Sequence, residues 1–180
     1  MSGDVRLHFA TQSGAVRASD LRPVHVEGEQ GLSRPYEYRI RLRSELDGGV
    51  PPDAVVDMLR QPAHVEFGAD GAITEVHGII TDVELQPMTE LSRSEYLLVL
   101  RPTLWRASLA YTSRVFQDVT VADIASAVLE QHEVRCELRL DATYPTREYV
   151  VQYQESDLDF LHRQLEHWGI FYFFEQSQDG

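Results

Sequence analysis

Tyr36-Glu37-Tyr38-Arg39-Ile40-Arg41-Leu42-Arg43 alternates apolar and charged side chains without a break. In an extended chain successive side chains point to opposite faces, so this period of two sends four bulky residues into a core and Arg39, Arg41 and Arg43 into water. The stretch reads as a half-buried strand, and its neighbours repeat the pattern. Ala63, Val65 and Phe67 alternate with His64 and Glu66, and longer strands are expected at His77 to Gln86 and Ser94 to Arg101. Asp47-Gly48-Gly49, Pro51-Pro52 and Asp70-Gly71 punctuate these runs, and Asp70-Gly71 carries a hairpin signal. A short helix fits Asp53 to Leu59, with Pro62 marking its limit. Strands at this spacing predict a small barrel or sandwich.

Beyond Pro102 the period changes. Val121, Ile124, Ala125, Val128 and Leu129 fall on one helical face, and Thr120 with Asp123 forms a capping box ahead of them. A second helix is predicted from Ser156, with Asp159 as the capping partner, the stripe Leu158, Leu161, Leu165 and Trp168, and Gly169 as the stop. Strands are expected at Arg135 to Leu140, Glu148 to Gln154 and Ile170 to Glu175. The fold class is therefore α+β: a mainly β first part, then a smaller portion with two helices on a sheet. Asp179-Gly180 after an apolar strand calls for a partner strand, and the expectation is that this partner follows Gly180 in a longer polypeptide.

Composition narrows the function. With 43% hydrophobic and 25% charged residues the chain is globular, and its net charge of -13 disfavours nucleic acid or an anionic membrane surface as partner. All 16 basic residues are Arg, the pattern a GC-rich genome produces. The single cysteine, Cys136, cannot pair internally and is expected to pack in the core of its strand. No run reaches the roughly 20 apolar residues of a membrane helix, and Met1-Ser-Gly-Asp-Val-Arg6 has no apolar signal region.

No catalytic set assembles from the motifs. There is no Gly-x-Ser-x-Gly elbow, no His-Glu-x-x-His, no Cys-x-x-Cys and no phosphate-binding glycine loop. His162 and His167, five apart, do not share a helical face, and His162 with Glu166 reads as an exposed pair. His25, His64 and His77 are assigned to solvated strand faces, so no metal, cofactor or catalytic residue is expected. Ser156 is explained by capping, and Asp157 and Asp159 by the favourable field of a helix N-terminus. Two groups remain as candidate protein interfaces: Arg39, Arg41 and Arg43, and the run Ile170, Phe171, Tyr172, Phe173, Phe174. For that run an intramolecular core is the competing reading, and for the arginines a solvated face.

The order of segments resembles the N-terminal region of the VgrG family, the spike proteins of type VI secretion systems. Carrying the resemblance are Glu148-Tyr-Val-Val-Gln-Tyr-Gln-Glu-Ser-Asp-Leu-Asp-Phe-Leu161 and Leu165-Glu-His-Trp-Gly-Ile-Phe-Tyr-Phe-Phe-Glu175. Leu32-Ser-Arg-Pro-Tyr36, His77-Gly-Ile-Ile-Thr81, Leu100-Arg-Pro-Thr-Leu-Trp105 and Ser113-Arg-Val-Phe-Gln-Asp118 support it in the same order. The sequence departs from the family at Gln30, at Tyr36 and Tyr38, and at Arg60, where family members often carry Gly.

The resemblance implies a tube-type β-barrel over residues 1–103, as in contractile phage tail hubs, then an α+β hub portion over 104–180. It implies a truncated member of a family of longer chains that form homotrimers, dock on the hexameric Hcp tube and carry effector or adaptor proteins. Such proteins assemble in the cytoplasm and are secreted through the apparatus without a signal peptide. A hub protein of a contractile phage tail is the alternative, and a metal-dependent hydrolase a more distant one.

Overall fold

The computed structural model describes residues 4–9, 11, 14, 16–69, 72–87 and 94–176. Asp70-Gly71, Asp179-Gly180 and the first three residues, on which hairpin, ending and signal expectations rested, lie outside them. The chain divides into two compact units. The first holds residues 1–30, 36–102 and the segment from Phe174 onward; the second holds Gly31–Pro35 and Thr103–Phe173.

In the first unit a six-stranded antiparallel sheet is built from β1 (Asp4–Phe9), β2 (Leu21–Gly31), β3 (Arg34–Ser44), β4 (Pro62–Ala69), β5 (Ala72–Leu85) and β6 (Glu95–Arg101), in the order β1-β4-β5-β6-β3-β2. Its inner face is the one the alternation of β3 specified. Tyr36, Tyr38, Ile40 and Leu42 are buried with Tyr96, Leu98 and Leu100 of β6, Val65 of β4, Val76 of β5 and Leu7 of β1. Helix α1 (Pro52–Met58) starts with proline at its first position, where no backbone N–H is needed, and lays Ala54 and Met58 on that core. Gly78 of β5 sits where a Cβ would lie 2.5 Å from the carbonyl oxygen of Arg101, so only glycine permits this approach of β5 to β6.

The second unit pairs β7 (Tyr111–Val119) with β8 (Arg147–Ser156), with α2 (Val121–Gln131) and α3 (Asp157–His167) beside them. Both predicted caps are present: Thr120 Oγ1 accepts from Asp123 N–H at 3.2 Å, and Ser156 Oγ accepts from Asp159 N–H at 3.0 Å. Val121, Ile124, Ala125 and Val128 bury the stripe of α2; Leu158, Leu161 and Leu165 bury that of α3. Helix α3 ends on Gly169 at φ 67°, with Ile170 N–H donating to Leu165 C=O at 2.9 Å and Gly169 N–H to Glu166 C=O at 3.1 Å, the reciprocal bonds of a Schellman stop.

Two expected strands are absent. Residues 134–140 and 170–176 belong to no β ladder. An apolar or alternating run becomes a strand only where a neighbour takes up its backbone bonds. In the second segment one such bond is Ser33 N–H to Tyr172 C=O at 2.8 Å. Cys136 accordingly is exposed rather than packed in a core. No helix among the described residues is long and apolar enough to cross a membrane.

Candidate functional site

The arginines of β3 stand on the outer face, as the alternation required, and acids meet them there. Arg39 Nε donates to Glu37 at 2.8 Å, and Arg43 donates to Glu95 from Nε at 3.2 Å and from Nη2 at 2.9 Å; Arg41 is exposed. Arg101 of β6 extends the array, reaching Glu37 at 2.7 and 2.9 Å and Asp82 at 2.6 Å. Burial works to raise the Glu37 carboxyl, but hydrogen bonds from Arg101 and Arg39 outweigh it and hold the group below its ordinary value. This face is an interleaved charge lattice rather than a cationic patch.

The aromatic run splits in two by alternation. Phe171 and Phe173 are 62% and 53% exposed, while Ile170, Tyr172 and Phe174 are partly covered. Within the second unit the Tyr172 hydroxyl lies 2.8 Å from His162 Nε2, and burial pushes the phenol well above its usual pKa. His162 is thus held by Tyr172 rather than standing as an exposed partner of Glu166. Burial depresses the pKa of its ring against the opposing pull of Glu166 and Asp159. In the first unit Phe174 packs edge-on against Tyr36 at 5.0 Å. The run is neither all core nor all surface: alternate side chains take different roles because the backbone is extended.

Two features escaped the sequence reading. The outer face of the β7–β8 ribbon carries Tyr111, Val115, Tyr149, Val151 and Tyr153, all exposed, with Val115 and Val151 directly paired. Beneath the ribbon, Asp157 is fully buried and draws five donors. Thr112 Oγ1, Gln152 Nε2 and Arg114 Nη2 approach one carboxylate oxygen at 2.8, 2.8 and 3.1 Å; Gln131 Nε2 and His132 Nε2 approach the other at 3.1 and 2.8 Å. Burial would raise this carboxyl, yet the bonds from Gln152, His132 and Thr112 and the charge of Arg114 hold it below the ordinary range. Capping therefore does not account for the Ser156-Asp157 pair: Ser156 caps α3, and Asp157 ties β7, α2, β8 and α3 together. A saturated, solvent-free carboxylate has no lone pair left for a substrate, so the cluster is structural.

An antiparallel sheet with a buried aromatic face is thus joined in sequence to a helix-covered ribbon. The chain belongs to the phage tail baseplate hub (GPD) family, whose profile matches residues 29–180. Within it the kinship is with VgrG spike proteins. It is 33% identical over 96% of its length to the type VI secretion system spike protein VgrG4b of Pseudomonas aeruginosa, and spans 21% of that protein. It is similarly 30% identical to the spike protein VgrG3 of Vibrio cholerae over 93% of the chain and 17% of that protein. Among solved structures it superposes, at TM-score 0.73 and 28% identity, on an Escherichia coli type VI secretion component described as similar to the bacteriophage T4 tail proteins gp27 and gp5, covering 88% of this chain and 43% of that one. The 43 kDa tail protein of prophage MuSo2 from Shewanella oneidensis shares the fold at TM-score 0.61 and 13% identity, over 93% of this chain and 51% of that one. The chain thus spans about a fifth of the length of the curated relatives it matches.

Proposed function

We propose that this chain is the base of a type VI spike, a structural hub rather than an enzyme, which docks on the Hcp tube and helps deliver effectors into target cells. In this reading residues 1–103 form the tube-like portion and residues 104–180 begin the remaining hub. Three copies surround the axis in the assembled spike, effector or adaptor proteins ride with it, and it leaves the cytoplasm through the apparatus itself. The observation that carries the reading is the pairing of family membership with uncovered apolar side chains, Phe171 and Phe173 above all, where an isolated protein would bury them. An aromatic side chain withdrawn from water at an interface contributes more than any surface ion pair, so these residues are assigned to subunit or tube contacts. The lattice of Arg39, Arg41 and Arg43 sets orientation.

The test is co-sedimentation of the chain with assembled hexameric rings of an Hcp tube protein. Binding is expected, and Phe171→Ser with Phe173→Ser should weaken it about tenfold, a loss of roughly 1.4 kcal/mol. Absence of co-sedimentation, or an unchanged affinity in the double variant, would overturn the assignment. By light scattering the chain alone is expected to be a monomer or weak oligomer at micromolar concentration; a stable trimer would contradict that. The phage-tail alternative is separated by the neighbouring genes: sheath, tube and membrane-complex genes of a secretion locus against capsid and terminase genes.

A further inference from the structure

Three strands of the first unit place a histidine at the same level of the outer sheet face. His8 of β1 pairs with His64 of β4, and His64 with His77 of β5. The rings stack across the ladder, His8 on His64 with centroids 4.3 Å apart and planes within 9°, and His64 on His77 at 5.0 Å. The adjacent row on the same face supplies carboxylates, Glu66 opposite Glu75. Glu66 Oε1 lies 3.3 Å from His8 Nε2 and 3.9 Å from His64 Nε2, and Glu75 Oε1 lies 2.9 Å from His77 Nε2.

From this geometry we infer a binding site for one divalent transition-metal ion between His8, His64 and Glu66. The ligand atoms of these residues lie within 4.8 Å of one another. Ligands about 2.0–2.1 Å from a tetrahedral zinc ion stand roughly 3.3 Å apart, so the His8–Glu66 edge has the required length, while the His64 ring, now stacked within 9° of His8, has to swing out of the stack for its in-plane lone pair to reach the same ion. His8 Nε2 is withdrawn from solvent and, although 3.3 Å from Glu66 Oε1, makes no hydrogen bond. His77 and Glu75 already satisfy each other and stand beside the site. Two imidazoles and a carboxylate select zinc, copper, nickel or cobalt over magnesium or calcium. The ion would join β1, an edge strand, to β4 and make the start of the sheet resistant to peeling.

Calorimetry of the tag-free chain with Zn²⁺ tests this. One ion per chain is expected, with no heat from Mg²⁺. His8→Gln and His64→Gln should each weaken binding at least tenfold, and His162→Gln should leave it unchanged. A hundredfold excess of Zn²⁺ over Kd should raise Tm by about 5 °C. Because a variant could fold poorly, the spectrum of Cu²⁺ bound to the unaltered chain gives a second reading, with hyperfine coupling to two imidazole nitrogens expected. Absence of stoichiometric binding, binding unchanged in His64→Gln, a signal without nitrogen coupling, or loss confined to His77→Gln would each overturn the assignment.

Discussion

Strands β3 and β8 look alike in sequence and behave in opposite ways. In β3 the bulky positions, Tyr36 through Leu42, face the core and the charged ones face water. In β8 Tyr149, Val151 and Tyr153 face outward, 62%, 50% and 68% exposed, while Val150, Gln152 and Ser156 are buried. The period of two holds in both. It states which residues share a face, but the face that becomes core is decided by what the other elements bring to it. Beneath β8 they bring Asp157, Arg114 and His132, so a glutamine is more valuable inside than a valine.

The sharpest way to break that comparison is to remove the carboxylate. Asp157→Ala leaves Arg114 and two amides facing an emptied site and should cost about 4 kcal/mol, read from the denaturant midpoint of the second unit. Acid should do the same reversibly. Because the folded carboxyl titrates below its ordinary value, its contribution is complete at neutral pH and is lost as pH falls through the lowered pKa, below about pH 4. Asp157→Asn should flatten this acid limb; an unchanged limb would remove Asp157 from the account. In β3 the corresponding cut is Ile40→Ala, a fully buried side chain whose truncation should cost about 3 kcal/mol with no acid dependence.

These two cuts also mark what the sequence disclosed. Ile40 was legible because apolar residues of one parity in an isolated strand leave a single economical arrangement. Asp157 was not, because its donors are scattered from Thr112 to Gln152 and only the packing of two helices on a ribbon brings them to one point. Helices α2 and α3 were legible through local rules: caps at Thr120 and Ser156 and a stop at Gly169. The segments 135–140 and 170–175 were misread for the converse reason, since strand character needs a partner that local sequence does not name. The histidine row shows the same limit. His64 and His77 were assigned to solvated strand faces, whereas the structure half-buries both, because the cross-strand register that stacks them on His8 is a property of three distant segments. The aromatic run was offered as a candidate surface with core as the competing reading, and only its extended backbone shows which members, Phe171 and Phe173, are exposed.

A smaller effect sharpens the contrast from the exposed side. Val151→Ser and Tyr153→Ser on β8 replace larger apolar surfaces than many core changes do, yet each should shift stability by less than about 0.5 kcal/mol, because the folded state already leaves them in water. Circular-dichroism melting reads this directly. A loss comparable to that of Ile40→Ala would mean that the ribbon face is covered in solution, by another copy of the chain at the concentration used, and dilution would then recover the difference.

The smallest effect concerns Arg60, a position where the resemblance implied glycine. Arg60, after α1, holds φ at 66°, the left-handed region, while its N–H donates to Ile80 C=O at 2.7 Å. A side chain there costs roughly 1–2 kcal/mol through crowding of its Cβ against the backbone. Glycine relieves that strain but gives the unfolded chain more freedom, which returns about 0.5–1 kcal/mol. Arg60→Gly should therefore stabilise the protein by only about 0.5 kcal/mol, a rise in Tm of about 1–2 °C for a chain of this size. Arg60→Ala separates the two contributions: it keeps the strained backbone and the Cβ while removing the guanidinium, and should leave Tm unchanged. A fall in both variants would show that the arginine head contributes a contact that repays the strain; a rise in glycine alone assigns the cost to the backbone at its positive φ.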